Sequence, residues 1–179
     1  MKTLTCLVVT VLGCLAICQA QDDGKPKRTP HAKPVVSTAP VTQAEAEATF
    51  ARIRGLFKTV LHVSVSSGGI SKSSGSAVTK AQVVAELSRL YRAAEPSFTM
   101  TPRKASVDTA RVVAENPQTK SSLITLIEVG FVGNFGPLAT MPKATLSVSE
   151  FGDSLGFFLS RISDCTHVPS TKWTPYLHN

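Results

Sequence analysis

Residues 78–90, VTKAQVVAELSRL, occur nearly twice in this chain. Residues 41–53 read VTQAEAEATFARI, and in one register Val41/Val78, Thr42/Thr79, Ala44/Ala81, Ala48/Ala85 and Arg52/Arg89 coincide. Glu45/Gln82, Phe50/Leu87 and Ile53/Leu90 are alike in kind. A looser third copy, LSVSEFGDSLGFF, begins at Leu146. Each copy sets an aliphatic residue before a hydroxyl residue, with an acid or amide three places after the hydroxyl. A hydroxyl at a helix N-cap accepts from the backbone N–H three residues on, and a Glu or Gln at that position reaches back to the cap's own N–H. The pattern therefore predicts three helices capped by Thr42 with Glu45, Thr79 with Gln82, and Ser147 with Glu150.

The residues that follow each cap predict a buried stripe. Ala46, Phe50, Ile53 and Phe57 share a face of a helix that runs to about Thr59. Val83, Leu87, Leu90 or Tyr91, and Ala94 do so in a second, which Pro96 stops. Phe151, Leu155, Phe158 and Ile162 do so in the last. Asn116-Pro117 opens a fourth helix, with Asn as cap and Pro at the first helical position, and Leu123, Ile127 and Phe131 on one side. Residues 107–115 read as a short helix, and Leu61, Val63 and Val65 alternate with polar residues as a short strand that Gly68-Gly69 ends. Gly152 and Gly156, one turn apart, read as a place where another helix comes close. The fold class expected is mainly α: helix-loop-helix repeats packed as a compact helical bundle, with at most one or two short strands.

Outside this region lie a leader and a linker. Lys2, the apolar run from Leu4 to Ile17, and Cys18-Gln19-Ala20 have the form of a secretory signal over residues 1–20. The run falls short of the ~20 apolar residues of a comfortable membrane span. Two processing routes stay open: cleavage after Ala20, or lipidation, since Val11-Leu12-Gly13-Cys14 and Leu15-Ala16-Ile17-Cys18 both have lipobox character. Residues 21–40 (QDDGKPKRTPHAKPVVSTAP) form a Pro/Lys-rich linker with no apolar periodicity, which reads as disordered. The domain is then 41–179, with an extended tail over 165–179 whose Trp173 is expected to fold back over apolar surface. Cys6, Cys14 and Cys18 fall in the leader and leave Cys165 alone, so the domain is held by its core and not by an intrachain disulfide.

A net charge of +7 in an exported chain is read either as a match for anionic envelope polymer or lipid head groups or simply as a moderately basic surface. Nucleic acid is not expected, because no basic run is interleaved with the aromatics that single-strand binders stack bases on. No Gly-Xaa-Ser-Xaa-Gly elbow, phosphate loop or zinc-binding His-Glu-Xaa-Xaa-His is present. Asp164-Cys165-Thr166-His167 gathers a carboxylate, a thiol and an imidazole. Nucleophilic catalysis needs them to converge in space, and a helix end followed by a turn is the plainer reading. Glu45 and Glu150 are acids that could serve chemistry, but the capping box already employs them. No catalytic residue, metal ligand or cofactor is assigned.

Residues 121–162, SSLITLIEVGFVGNFGPLATMPKATLSVSEFGDSLGFFLSRI, resemble the S-layer homology repeat. They contain a first helix, a hydrophobic-glycine turn (Val129-Gly130-Phe131-Val132-Gly133), a loop with a proline, and the helix that this family opens with Thr-Arg-Ala-Glu. That motif stands here as Thr42-Gln43-Ala44-Glu45, Thr79-Lys80-Ala81-Gln82 and Ser147-Val148-Ser149-Glu150, and only Lys80 keeps the positive charge. The resemblance implies a non-enzymatic cell-envelope protein whose helix starts surround grooves for an anionic wall polysaccharide. Lys80 and Arg89, with Thr42, Thr79 and Ser147, are the expected ligand-binding residues. Two alternatives remain: a secreted scaffold or protein-interaction module without polymer affinity, working through the tail around Trp173, and a thiol-dependent hydrolase at Asp164, Cys165 and His167.

Overall fold

The computed structural model describes residues 37–173. The leader, residues 21–36 of the linker, and residues 174–179 lie outside this range. Five α-helices carry the fold: α1 (Gln43–Leu56), α2 (Lys80–Ala94), α3 (Pro117–Glu128), the single turn α4 (Pro137–Thr140) and α5 (Val148–Thr166). The mainly α class is what the chain adopts, and among the described residues it has isolated bridges and no sheet.

All three repeated helices open with a complete capping box. Thr42, Thr79 and Ser147 have extended backbone, and their hydroxyls accept from Glu45, Gln82 and Glu150 N–H. The side chains of those three residues return the bond to the caps' own N–H groups at 2.8–2.9 Å. α3 opens as expected on Asn116, whose Oδ1 accepts from Thr119 N at 2.8 Å.

The three capped starts are also bound to one another in a closed cycle. Gln43 N donates to Ser76 O (2.8 Å), Lys80 N to Ala144 O (2.7 Å) and Val148 N to Ala39 O (2.9 Å). In each case the donor is the first helical residue, and the acceptor lies three residues before the next cap. Inside this cycle Val78 N donates to Val41 O and Val41 N to Leu146 O, and the bridges Thr42↔Ala77, Thr79↔Thr145 and Pro40↔Ser147 repeat the same offset. Val41, Val78 and Leu146, the aliphatic residue before each cap, are all buried. The aliphatic-hydroxyl pair at the head of each copy thus does two jobs: one residue fills the centre and the next caps the helix.

Below the ring the apolar stripes meet. Ala46, Phe50, Ile53 and Phe57 on one side, and Val83, Leu87, Leu90 and Ala94 on another, are fully buried, as are Phe158 and Ile162 of α5. Phe50 meets Phe151 edge-on at 5.7 Å. Phe131 stacks on Phe98 at 5.5 Å and also touches Tyr91 and Phe158. Burying each such ring contributes about 1.5–3 kcal/mol. Trp173 folds back as expected: it is buried edge-on against Phe57 at 5.7 Å.

Four local expectations are corrected. α1 does not stop near Thr59 but widens into a π turn, Phe57–Leu61, closed by His62 in the left-handed region (φ 57°). Residues 61–65 form no strand, because no neighbouring segment supplies a ladder. Residues 107–115 form a turn and not a helix, since the Asp108 carboxylate takes Ala110 N–H and its carbonyl takes Arg111 N–H, a local bond that competes with helix continuation. Gly152 and Gly156 admit no close neighbour either, as a Cβ at either position would meet nothing within 4 Å.

The empty space at those glycines has a direct consequence. Each has ordinary helical backbone inside a 19-residue helix, so its cost is the glycine propensity alone. Gly152→Ala and Gly156→Ala should each raise unfolding free energy by about 0.5–1 kcal/mol, read as a higher denaturant midpoint with an unchanged slope. A loss at either position would mean that something does pack there.

Candidate functional site

The helix starts have backbone N–H groups without intrahelical acceptors, and each start disposes of them in its own way. In α1 every one is taken. Thr42 N–H goes to Glu45, Gln43 N–H to Ser76 O, Ala44 N–H to Ser74 O at 3.2 Å, and Glu45 N–H to Thr42 Oγ1. In α2 the corresponding bonds of Thr79, Lys80 and Gln82 are present, but Ala81 N–H has no partner among the described residues. α3 has the same gap at the same position, Gln118, and α5 has it at Ser149, in a first turn that carries Glu150.

Ala81 and Gln118 border one groove. It holds about 310 Å³ and is lined by Gly68, Ala81, Gln82, Val84, Ala85, Asn116, Gln118, Thr119 and Ser122. No charged side chain lines it. Neither α2 nor α3 carries an acid in its first turn, whereas α1 and α5 carry Glu45 and Glu150 there. Two helix N-termini, each equivalent to roughly half a positive charge, therefore border a groove whose lining holds no carboxylate. Gln82 and Asn116 add fixed donors: their carbonyl oxygens are held by Thr79 N and Thr119 N, which leaves their NH₂ groups for the groove.

The residues expected to bind a ligand sit differently from one another. Thr42, Thr79 and Ser147 are together in the ring, with their hydroxyls spent on capping. Lys80 is not at the surface. It is 1% exposed, and its ammonium donates to Val113 O at 3.2 Å and to Met141 O. Burial holds its pKa below the ordinary lysine value, with Glu115 acting in the opposite sense. As the first residue of α2 it points inward beneath the ring and ties two irregular segments, so its charge serves the fold and does not face a ligand.

Arg89 is half-exposed and paired with Glu86 at 3.2 Å. That pair belongs to a buried ionic cluster. Glu86, fully buried, is approached by Arg54 at 3.4 Å as well, and Arg54 also bonds Glu47 at 2.6 Å. Gly68 lies directly against the Glu86 carboxylate. The glycine is required at this position, because a Cβ there would collide with Glu86 Oε1 and the Arg89 guanidinium. Gly69 follows at φ 87°, so the two glycines answer two separate constraints.

Asp164, Cys165 and His167 are engaged apart from one another. Asp164 pairs with Arg161 at 2.9 Å, Cys165 is buried with its thiol pushed up by desolvation, and His167 is the left-handed residue that ends α5. Among the described residues no group of three or more His, Cys, Asp or Glu side chains is arranged to hold a metal ion. Likewise no described helix is long and apolar enough to cross a membrane. Comparison with protein-family models, with curated proteins and with solved structures finds no match for this chain.

Lys80 makes a sharp test of what the buried ammonium does. Lys80→Met keeps the length of the chain and removes the donor, leaving two inward carbonyls unpaired. Chemical denaturation should show a loss of about 1–3 kcal/mol. A neutral or stabilised variant would mean that desolvating the ammonium costs as much as its two bonds return.

Proposed function

We propose that this chain is an exported, non-enzymatic envelope protein, built on degenerate S-layer-homology-like repeats, that holds an acidic saccharide unit of an envelope polymer. The groove where α2 and α3 begin is its site. The observation that carries this reading is the pair of unpartnered N–H groups of Ala81 and Gln118, at two helix starts free of acid, on one uncharged polar groove. Helix N-termini of this kind stabilise an anionic group through oriented donors and dipole together. The amides of Gln82, Asn116 and Gln118 and the hydroxyl of Ser122 match the hydroxyl-rich surroundings of such a group on a sugar. The positive balance of the chain favours the encounter with an acidic polymer and makes it sensitive to salt. The resemblance of residues 121–162 to the S-layer homology repeat supports the same class of ligand.

The test is retention of the protein on purified acidic wall polysaccharide at low and at high salt. Ala85 is exposed at the rim, so Ala85→Trp should fill the groove while leaving the fold intact. It should weaken retention about tenfold or more, equivalent to at least ~1.4 kcal/mol. Absence of retention at low salt, or an indifferent Ala85→Trp, would sink the reading.

A second reading, a protein-interaction module, is favoured by a different feature. Phe135 is 77% exposed and Phe157 45%, and Phe157 forms one wall of a mostly apolar hollow of about 210 Å³ with Val132, Gly133, Pro137 and Leu138. Trp173 itself does not offer such a surface, because it is buried. Under this reading sedimentation should show a mass that rises with concentration and that Phe135→Ser abolishes. A strict monomer at every concentration would remove it.

A further inference from the structure

The groove between α2 and α3 does not end at Ser122. That residue also lines a smaller cleft of about 110 Å³ further along the seam, together with Ser88, Tyr91, Arg92, Ser121, Thr125 and Leu126. The two spaces follow one pair of helix faces. Ala81, Ala85, Ser88 and Arg92 stand three or four residues apart on α2, as do Gln118, Ser122 and Thr125 on α3. Two features of the cleft have no use in the fold. Ser88 Oγ is buried and has no hydrogen-bond partner, whereas Thr125, Ser154 and Thr166 return their hydroxyls to the carbonyl four residues back. A buried hydroxyl left unpaired costs stability and calls for an explanation. Arg92 is exposed and has no ion-pair partner among the described residues. Glu95, one turn on, accepts from the Tyr91 hydroxyl at 3.0 Å, and no carboxylate lines the cleft.

We propose that this cleft is a carboxylate subsite, in which the Arg92 guanidinium takes the carboxylate of an acidic sugar and Ser88 Oγ bonds one of its hydroxyls. A guanidinium presents paired N–H donors that fit the two oxygens of a carboxylate. Ser88, Ser121 and Ser122 offer hydroxyls that donate or accept as the sugar requires, and the ligand supplies the partner that Ser88 lacks in the fold. The cleft differs in kind from the groove: there the positive end comes from two helix starts, and here from a side chain. Set end to end, the two take neighbouring acidic units of one polymer, and the second contact gains from being intramolecular. That pairing rests on the groove reading; the cleft as a carboxylate site does not.

Backbone amide shifts of the full chain, titrated with tetragalacturonate and with neutral maltotetraose, test it. The acidic tetramer should shift Ser88, Arg92 and Thr125 as well as Ala81 and Gln118, and maltotetraose should leave the first three in place. Arg92→Gln should abolish the shifts at Ser88 and Thr125 and weaken the acidic tetramer about tenfold. Ser88→Ala should weaken it too, yet leave the denaturant midpoint unchanged or raised, since it removes a buried hydroxyl that nothing in the fold uses. Four results would each overturn the subsite: shifts at Ala81 and Gln118 with none at the cleft, equal affinity for the parent chain and Arg92→Gln, an equal response to maltotetraose, or a lowered midpoint in Ser88→Ala. Shifts confined to the cleft would support the subsite and remove the groove reading. No shift anywhere would remove both.

Discussion

Three backbone N–H groups, those of Gln43, Lys80 and Val148, stand one residue past a helix cap, where the helix itself offers them no acceptor. Each finds a carbonyl in the segment leading to the next helix, and the three bonds close on themselves. Buried backbone donors must be paired, so this cycle fixes far more than three bonds. It sets the spacing of the helix starts, places Val41, Val78 and Leu146 at the centre, and aims three apolar stripes at one another. Had the starts been satisfied by water, each helix would be free to slide along its neighbours. The capping boxes handle the N–H of the cap and that of the third helical residue, which explains why every repeat carries both the aliphatic residue and the hydroxyl with its Glu or Gln.

The same accounting isolates the corner at α2 and α3. At α1 the second helical N–H is taken by Ser74 O; at α2, α3 and α5 its counterparts have no partner among the described residues, and of these three starts only α5 carries an acid, Glu150, in its first turn. Gln82 replaces the carboxylate found at the other two repeated starts. Burial raises the cost of an ionised acid, but the caps act in the opposite direction: Thr42 and Ser147 N–H groups hold Glu45 and Glu150 below the usual carboxylate range. Those two boxes weaken as pH falls through the lowered values, while the Gln82 box is indifferent to acid. The one corner without a negative charge is thus also the one whose cap keeps its form in acid. An anionic guest would meet the least resistance there.

What the sequence made legible, and what it did not, follows from the range of each interaction. The caps at Thr42, Thr79, Ser147 and Asn116 and the stripes through Phe50, Leu87 and Phe158 are local patterns, three to eleven residues long, and the structure has them where the spacing puts them. The ring joins segments dozens of residues apart through backbone atoms that carry no side-chain signature. Lys80 read as a surface charge because lysine is almost never fully buried unless paired, and its partners, two carbonyls in irregular segments, leave no mark in a pattern. Glu47 and Glu86 each occupy a helix face that periodicity marks as polar, and they become a buried cluster only when α1 and α2 pack. The acid-free first turns of α2 and α3 were on the page as composition, but their meeting in one groove was not.

That buried cluster also explains a feature the ring leaves open, the course of the long loop between α1 and α2. Residues 62–78 have no regular structure, and a loop of this length needs fixed points to return to the ring at Ser76 and Val78. Its first half packs Gly68 against Glu86, and its second half is anchored on α1 through Ser71 N donating to Gln43 Oε1 and Ala44 N donating to Ser74 O. The second anchor uses uncharged groups and is indifferent to pH. Only the first depends on an ionisable group, and that group is buried among charges whose balance a single proton changes. An apolar residue at position 86 would take from Arg54 and Arg89 the buried carboxylate that both approach. A carboxylate is therefore what the two arginines require, and a buried carboxylate brings a dependence on protons with it.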